Sequence, residues 1–404
     1  MTAEIPKPRV GHDPPWKALI GVFLSGLGVF LSFGTLLPLF PRWTAQFTDS
    51  MTQVGVATTL AAGVGLVAAR PIAARLMEGK ARMPTLMVGA LATGISSAVY
   101  PFIGTLTLIM VVRVVQGLGF GLVTTAAVSA ITDMTPPHRR GEVMGYFGAS
   151  NALALLLGPL LGGTVHKFWG FDVAFWVSAA LVVPSLILAR RVKEPPAVPL
   201  PPGSFRLLDA LKLPSLRVIA GGHFLGVMLH GALLVFVPLL IASRQGWMSV
   251  EAFFAIEAAA VIAFRVIFGR KFDAYDPMIF VRGGLVGLVI SALLLGLGES
   301  DWLVLLAAIA YGLGFGSYVP TINAIVGNVV PPTHRARGFA VFMLAFDLAI
   351  AGGGVIFGPI ADKSGPSAAL LLAASAPALA LLVFLIGGNA MRPAPARRAR
   401  RAAS

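Results

Sequence analysis

The sequence predicts an all-α membrane protein, twelve transmembrane helices set out as two pseudo-symmetric six-helix bundles, and three observations carry that expectation. The first is composition: 57% of the 404 residues are hydrophobic and only 12% are charged, against roughly 25% charged in an ordinary soluble protein. A soluble domain of this length could not hide so much apolar surface, whereas twelve membrane helices of about 20 residues need around 240 mostly apolar positions. The second is the placing of charge along the chain, and the third is an internal repeat. Zero cysteines exclude a disulfide framework, a thiolate metal site and a cysteine nucleophile.

Apolar runs of 18 or more residues, broken by charged or Gly/Pro-rich joints, fall at roughly 18–40, 53–74, 84–103, 105–131, 141–164, 171–189, 217–242, 250–269, 278–297, 302–326, 337–360 and 366–387. The first follows Lys7, Arg9 and Lys17 and stays apolar to Phe40, too long for a signal-peptide core, so it counts as a span. With a cytoplasmic N-terminus, the tails and inward joints hold 26 Lys and Arg, the outward joints four (Arg42, Lys167, Arg244, Lys363), and Arg113 alone lies inside a span. That bias sets both termini of a multi-pass cell-membrane protein in the cytoplasm. The net charge of +14 is spread over many short joints rather than gathered on one face, which excludes nucleic acid as a partner. The basic tail from Arg392 to Arg401 either rests on anionic lipid headgroups or is a disordered tail with no partner.

The chain divides into an N-terminal segment 1–17, a bundle 18–189, a linker 190–216, a second bundle 217–387 and a basic tail 388–404. The linker contains KEPPAVPLPPG, which cannot continue a helix and behaves as a semi-rigid extended spacer. Landmarks of the first half return at an offset of 195: Arg70, Arg75 and Glu78 as Arg265, Arg270 and Asp273, QGLGFG at 116–121 as YGLGFG at 311–316, and Pro136-Pro137 as Pro331-Pro332. Two bundles threaded in the same direction are related by an axis along the membrane normal, an arrangement of transporters.

Three local patterns give the chain a resemblance to the major facilitator superfamily over nearly its whole length. IMVVRVVQGLGFG is similar to the superfamily motif R-x-x-Q-G-x-G, with Arg113, Gln116, Gly117 and Gly119 matching. ALLLGPLLGG is similar to the G-x-x-x-G-P-x-x-G-G pattern of the drug:proton antiporter branch, with Gly158, Pro159, Gly162 and Gly163 in place and Ala154 for the first glycine. RPIAARLMEGKAR is a degraded copy of G-x-L-x-D-R-x-G-R-R. Leu76 and Arg82 fit, while Ala74, Glu78 and Gly79 depart from it, and the second-half copy keeps Gly269 and Asp273. Such openings also resemble arabinose-efflux-permease-like exporters. The resemblance implies alternating access between two rocking bundles, transport of a small molecule rather than catalysis, export coupled to protons, and a monomer without cofactor or metal. It also sets span 2 against span 11 and span 5 against span 8. The small-residue stretches AAGVGLVAA, AGGGVIFG, GPLLGG and Ala258 to Ala260 would then meet at the seam. Pro159, lacking an N–H, should bend span 5.

Charged residues deep in spans cost about 2.5–3.5 kcal/mol each on insertion scales and are functional candidates. Counting at 1.5 Å per residue, Arg113 lies about 12 Å past Thr105, Asp347 about 15 Å past Arg337 and Glu257 about 9 Å past Glu251. His230 is also near the middle, with His223 one heptad before it on almost the same face. Asp347 is the expected carrier of the driving proton, its protonation set by substrate or by Arg113, with a static Arg113–Asp347 pair as the alternative. Glu257 shares that role or merely lines an outer vestibule; His230 relays protons or bonds substrate, and His223 bonds a helix carbonyl. The first span offers only Ser25, Ser32 and Thr35 as polar groups. Either the second-half acids perform the coupling, then, or an anionic cargo meets Arg113 directly. Gln116, Asn151, Tyr311, Tyr318 and Asn323 are candidate hydrogen-bonding groups of the cavity, and Phe30, Phe33, Phe224 and Phe236 candidate apolar walls. A sugar or organic-anion facilitator or symporter is the alternative transport reading, and a non-transporting receptor or scaffold the alternative of another class.

Overall fold

The structure, a computed structural model, describes residues 14–78, 81–136, 139–194, 213–244, 246–268, 275–329 and 335–387, and all regular structure among them is helical. Crossing 1 is Trp16–Leu36, followed by the short helix Phe40–Thr44. Crossing 2 runs as Met51–Gly55, a π-helical stretch Val56–Leu60 and Ala61–Leu76. Crossings 3 and 4 are Met83–Val99 and Leu106–Met134. The helix Arg140–Ala180 breaks at Gly170, which divides crossing 5 from crossing 6, and Val182–Arg191 completes the latter. Crossings 7 to 11 are Pro214–Ala242, Val250–Phe268, Pro277–Leu297, Asp301–Val329 and Arg335–Ile356. Gly358–Ala373 breaks at Gly365, so its first turns extend crossing 11, and the rest joins Ser375–Ile386 as crossing 12.

Ten helices among the described residues are long and apolar enough to cross a membrane. Twelve crossings result because Leu156–Arg191 is two arms about Gly170, and because Val250–Phe268 crosses despite its Glu251, Glu257 and Arg265. The side bearing Arg75, Arg82, Arg139 and Arg190 is termed the basic side, and the opposite one the far side.

The repeat is visible in the backbone itself. Gly170 (φ 81°) and Gly365 (φ 82°), the only described residues with positive φ, stand 195 positions apart at equivalent far-side reversals, where a side chain would be strained. A Cβ on Gly89 would overlap the carbonyl oxygen of Gly119, and one on Gly284 would do the same to Gly314, again at that offset. Crossings 3 and 4, and likewise 9 and 10, therefore touch backbone to backbone. Helix pairings match between halves: 1 with 5, 2 with 4 and 3 with 4, then 7 with 11, 8 with 10 and 9 with 10.

The halves meet along crossings 2 and 11 and along crossings 5 and 8, as the resemblance implied. Gly55 abuts the Gly354 backbone, Gly63 abuts Ala351, and Thr59 donates to Ala351 O at 3.2 Å. The small-residue stretches sort differently from the expectation. Gly158 and Gly162 pack on Gly34 and Thr35 of crossing 1 inside their own half, and only Gly163 of that motif reaches across, to Glu251. Ala260 packs on Gly312 of crossing 10 rather than on the seam. Pro159 stays within helical geometry; the break in Arg140–Ala180 is eleven residues later, where glycine permits it.

Candidate functional site

Among the described residues, an ion pair deep in the membrane-spanning region joins the two halves. Arg70 of crossing 2 donates through Nη2 to Asp347 Oδ2 of crossing 11 at 2.9 Å, and through Nη1 to Thr125 Oγ1 of crossing 4 at 3.2 Å. Asp347 is 4% exposed, so nearly all its compensation comes from that guanidinium. Thr125 is itself held by Gly121 O at 2.7 Å, which fixes the direction of Arg70 from its own bundle.

Arg113 does not reach Asp347, contrary to the pairing considered from the sequence. It lies inside the first bundle, 1% exposed, with Nε and Nη2 both donating to Thr58 O at 3.2 Å and Nη1 to Gln116 Oε1 at 2.6 Å. Thr58 belongs to the π-helical stretch, where i→i+5 bonding displaces carbonyls from the α-helical ladder, and its oxygen faces the guanidinium. Phe40 and Phe33 stand 4.0 and 5.1 Å from the guanidinium carbon. Gln116 in turn accepts from Tyr100 at 2.9 Å and donates to Ser97 at 3.0 Å, and Ser97 joins Ser178 and Ser32. The cation is thus solvated by fixed dipoles and rings, with no face offered to a cargo.

The second bundle holds two histidine clusters. His230 Nδ1 meets the Tyr311 hydroxyl at 2.6 Å and its ring stacks on Tyr311 and Phe315. Glu257, half-buried on crossing 8, sets its backbone carbonyl against Gly312, the residue after Tyr311. His223 stacks on Phe342 at 4.0 Å and meets the Tyr318 hydroxyl at 3.1 Å, so its expected helix-carbonyl bond is not made. Tyr318 also donates to Gly222 O, while Gln116, Phe236, Tyr311 and Tyr318 are essentially without exposed surface. These four fill the bundles instead of walling a passage. Phe33 stacks on Phe120, and Phe30, Phe224, Asn151 and Asn323 are half-buried. Asn323 is turned onto Val319 O, whereas Asn151 Oδ1 has no partner.

The far side is closed by contacts that the sequence did not disclose. Asp362 of the 358–364 extension caps the N-terminus of crossing 2: its Oδ1 accepts from Met51 N and Thr52 N, and its Oδ2 from Thr52 Oγ1 at 2.5 Å and Ser50 Oγ at 3.3 Å. A carboxylate there also meets the positive end of the helix dipole. Nearby, Arg42 reaches Glu251 across the seam at 3.5 Å and His166 at 3.4 Å. On the basic side, Arg82 pairs with Asp133 at 2.9 Å and donates to Met77 O, both within its own half, while Arg75, Glu78 and Arg265 are exposed. Gly117 packs on Ala62. Gly269, Arg270 and Asp273 lie outside the described residues, as do Pro331 and Pro332.

A family model described as Major Facilitator Superfamily matches residues 20–354. The chain belongs to that superfamily. It is therefore a multi-pass membrane transporter of small molecules, and the paired bundles are the superfamily's twelve-helix fold. The quinolone resistance protein NorA of Staphylococcus aureus is 21% identical over 332 residues, 80% of this chain and 84% of that one. An uncharacterized MFS-type transporter of Mycobacterium tuberculosis is 37% identical over 118 residues, which span 29% of this chain and only 19% of that protein. Among solved structures, a bacterial homologue of the human lysosomal transporter Spinster, inward-facing and unoccupied, superposes with a TM-score of 0.76 at 15% identity, covering 95% of this chain and all of that one. That likeness concerns the fold.

Proposed function

We propose that this transporter exports small amphipathic molecules in exchange for protons, its bundles rocking about the seams of crossings 2 with 11 and 5 with 8. The Arg70–Asp347 pair is the observation that carries the reading. A buried carboxylate can be neutralised by a cation or by a proton, and here only the cation ties one half to the other. Proton uptake at Asp347 releases Arg70 and loosens the seam at that level; proton loss restores the tie. Glu257, on crossing 8 where it packs on Gly312 of crossing 10, offers a second proton-accepting group in the same half. The drug-resistance name of the relative over 80% of the chain supports export of amphipathic cargo. The basic side is the cytoplasmic one, with both termini there, and the working unit is a monomer. An anion-carrying reading loses its cation, because the donors of Arg113 are spent on Thr58 and Gln116.

The test is transport in proteoliposomes under an imposed pH gradient, with a panel of amphipathic dyes as cargo. Wild type should move dye against its gradient. Asp347→Asn should lose the pH-driven component and keep exchange of dye for dye. Undiminished pH-driven transport by the variant removes Asp347 from the coupling, and a wild type indifferent to the pH gradient removes proton exchange.

A further inference from the structure

The far side of the second bundle carries a hollow that transport through the seam does not use. Arg244, Gly246, Trp247, Glu299, Ser300 and Asp301 line about 460 Å³ between the connection of crossings 7 and 8 and the turn joining crossings 9 and 10. Both signs of charge meet in it. Arg244 donates through Nη2 to Gly298 O at 2.7 Å, and its Nη1 is buried with no hydrogen-bond partner. Asp301 accepts from Met248 N at 2.8 Å, which fixes the wall between the two connections, while Glu299 is exposed. On the membrane flank of the same turn, Ile290, Leu293, Leu294, Leu297, Gly298 and Leu303 line a second hollow of about 270 Å³ that is apolar throughout. Gly298 lines one and Glu299 the other, so a single peptide separates them.

Beside the first hollow, exposed Trp247 and Trp302 stand edge to face, 5.2 Å between ring centres. Exposed tryptophans at a helix end mark the headgroup level of a bilayer. A polar basket at that level with an apolar groove alongside has the shape of one phospholipid, head and chain. Two carboxylates against one guanidinium favour a head that itself carries a cation, and an ammonium that still has N–H donors satisfies carboxylates better than a quaternary one.

We propose that the two hollows hold one membrane phospholipid with a primary-ammonium head, its phosphate toward Arg244, its ammonium toward Glu299 and Asp301, and an acyl chain along Leu293 and Leu297. Native mass spectrometry of the purified full-length protein, titrated with phosphatidylethanolamine, phosphatidylcholine and phosphatidylglycerol, tests it. The ethanolamine lipid should be retained as a single adduct at roughly tenfold lower concentration than the other two, equivalent to about 1.4 kcal/mol. Glu299→Gln should erase that preference, and Leu293→Trp, which fills the groove, should weaken retention of all three; both side chains are exposed, and an unchanged Tm verifies that each variant is folded. Equal retention of the three lipids overturns the proposal. So does a preference for phosphatidylglycerol, or an ethanolamine preference that survives both substitutions, since the lipid then sits elsewhere.

Discussion

Arg113 and Arg70 are both guanidinium groups in the membrane-spanning region, yet their surroundings assign them opposite tasks. Arg113 is enclosed by dipoles and rings of its own bundle, so its role is to hold crossing 4 against the π-helical stretch of crossing 2. Arg113→Lys keeps the charge but loses the planar fork, and should lower stability by about 2–3 kcal/mol, read as a fall in Tm, with transport per folded molecule retained. Arg70 is one-third exposed and reaches across the seam. Arg70→Gln and Asp347→Asn should each reduce pH-driven transport, and the double variant should be no worse than the poorer single one, because either change already breaks the same tie. Depth was legible at this scale: counting residues from the span ends singled out Asp347, Glu257 and Arg113. Partnership was not, because Arg70 and Asp347 are 277 positions apart and a long side chain starting near the basic side can reach inward to a buried acid.

At the scale of the helix, packing is decided by where a side chain is missing. The twin contacts Gly89–Gly119 and Gly284–Gly314 bring two helix pairs to backbone distance. Gly119→Val should force crossings 3 and 4 apart and sharply lower Tm and yield. Gly148→Ala, in a helix with open space around it, should be neutral or raise stability by up to about 1 kcal/mol through helix propensity. Q/YGLGFG announced the duplication in the sequence, but not which neighbour each glycine serves. GPLLGG shows why: adjacent glycines lie 100° apart around a helix, so Gly162 faces crossing 1 while Gly163 faces crossing 8. A motif read as one seam feature therefore divides between two contacts.

At the scale of the whole molecule the far side is shut, and Asp362 is its latch. Partial desolvation raises the proton affinity of this carboxyl, but hydrogen bonds from Thr52, Met51 and Ser50 outweigh that and hold its pKa below the usual carboxylate value. A depressed pKa means that the latch is complete above the ordinary carboxylate range and fails only as pH falls through the lowered value, so it should not respond between about pH 5 and pH 8. The absence of native cysteine makes this measurable. Thr52→Cys sets a single thiol against Gly358 while the N–H groups of Met51 and Thr52 still bond Asp362, so its labelling by a water-soluble maleimide should be slow, at a rate that, corrected for thiol ionisation, is flat over that pH interval. Adding Asp362→Asn should speed the labelling. The number of crossings and the two halves were legible from apolar run length, basic bias and the 195-residue offset, and the facing helices followed from the resemblance to the superfamily. Which side stands closed was not, because that is decided by contacts between the halves, such as Thr52 with Asp362, 310 positions apart, and Arg42 with Glu251, 209 apart, which no local pattern announces. Glu194 adds a mechanical corollary. It accepts from the backbone N–H groups of Arg82 and Met83, so the chain leaving the first bundle is pinned to crossing 3, and residues 195–212 alone must reach the start of crossing 7. Those two bonds fix the exit of the first bundle to the beginning of crossing 3, so when that bundle rocks its point of departure travels with it as part of one body.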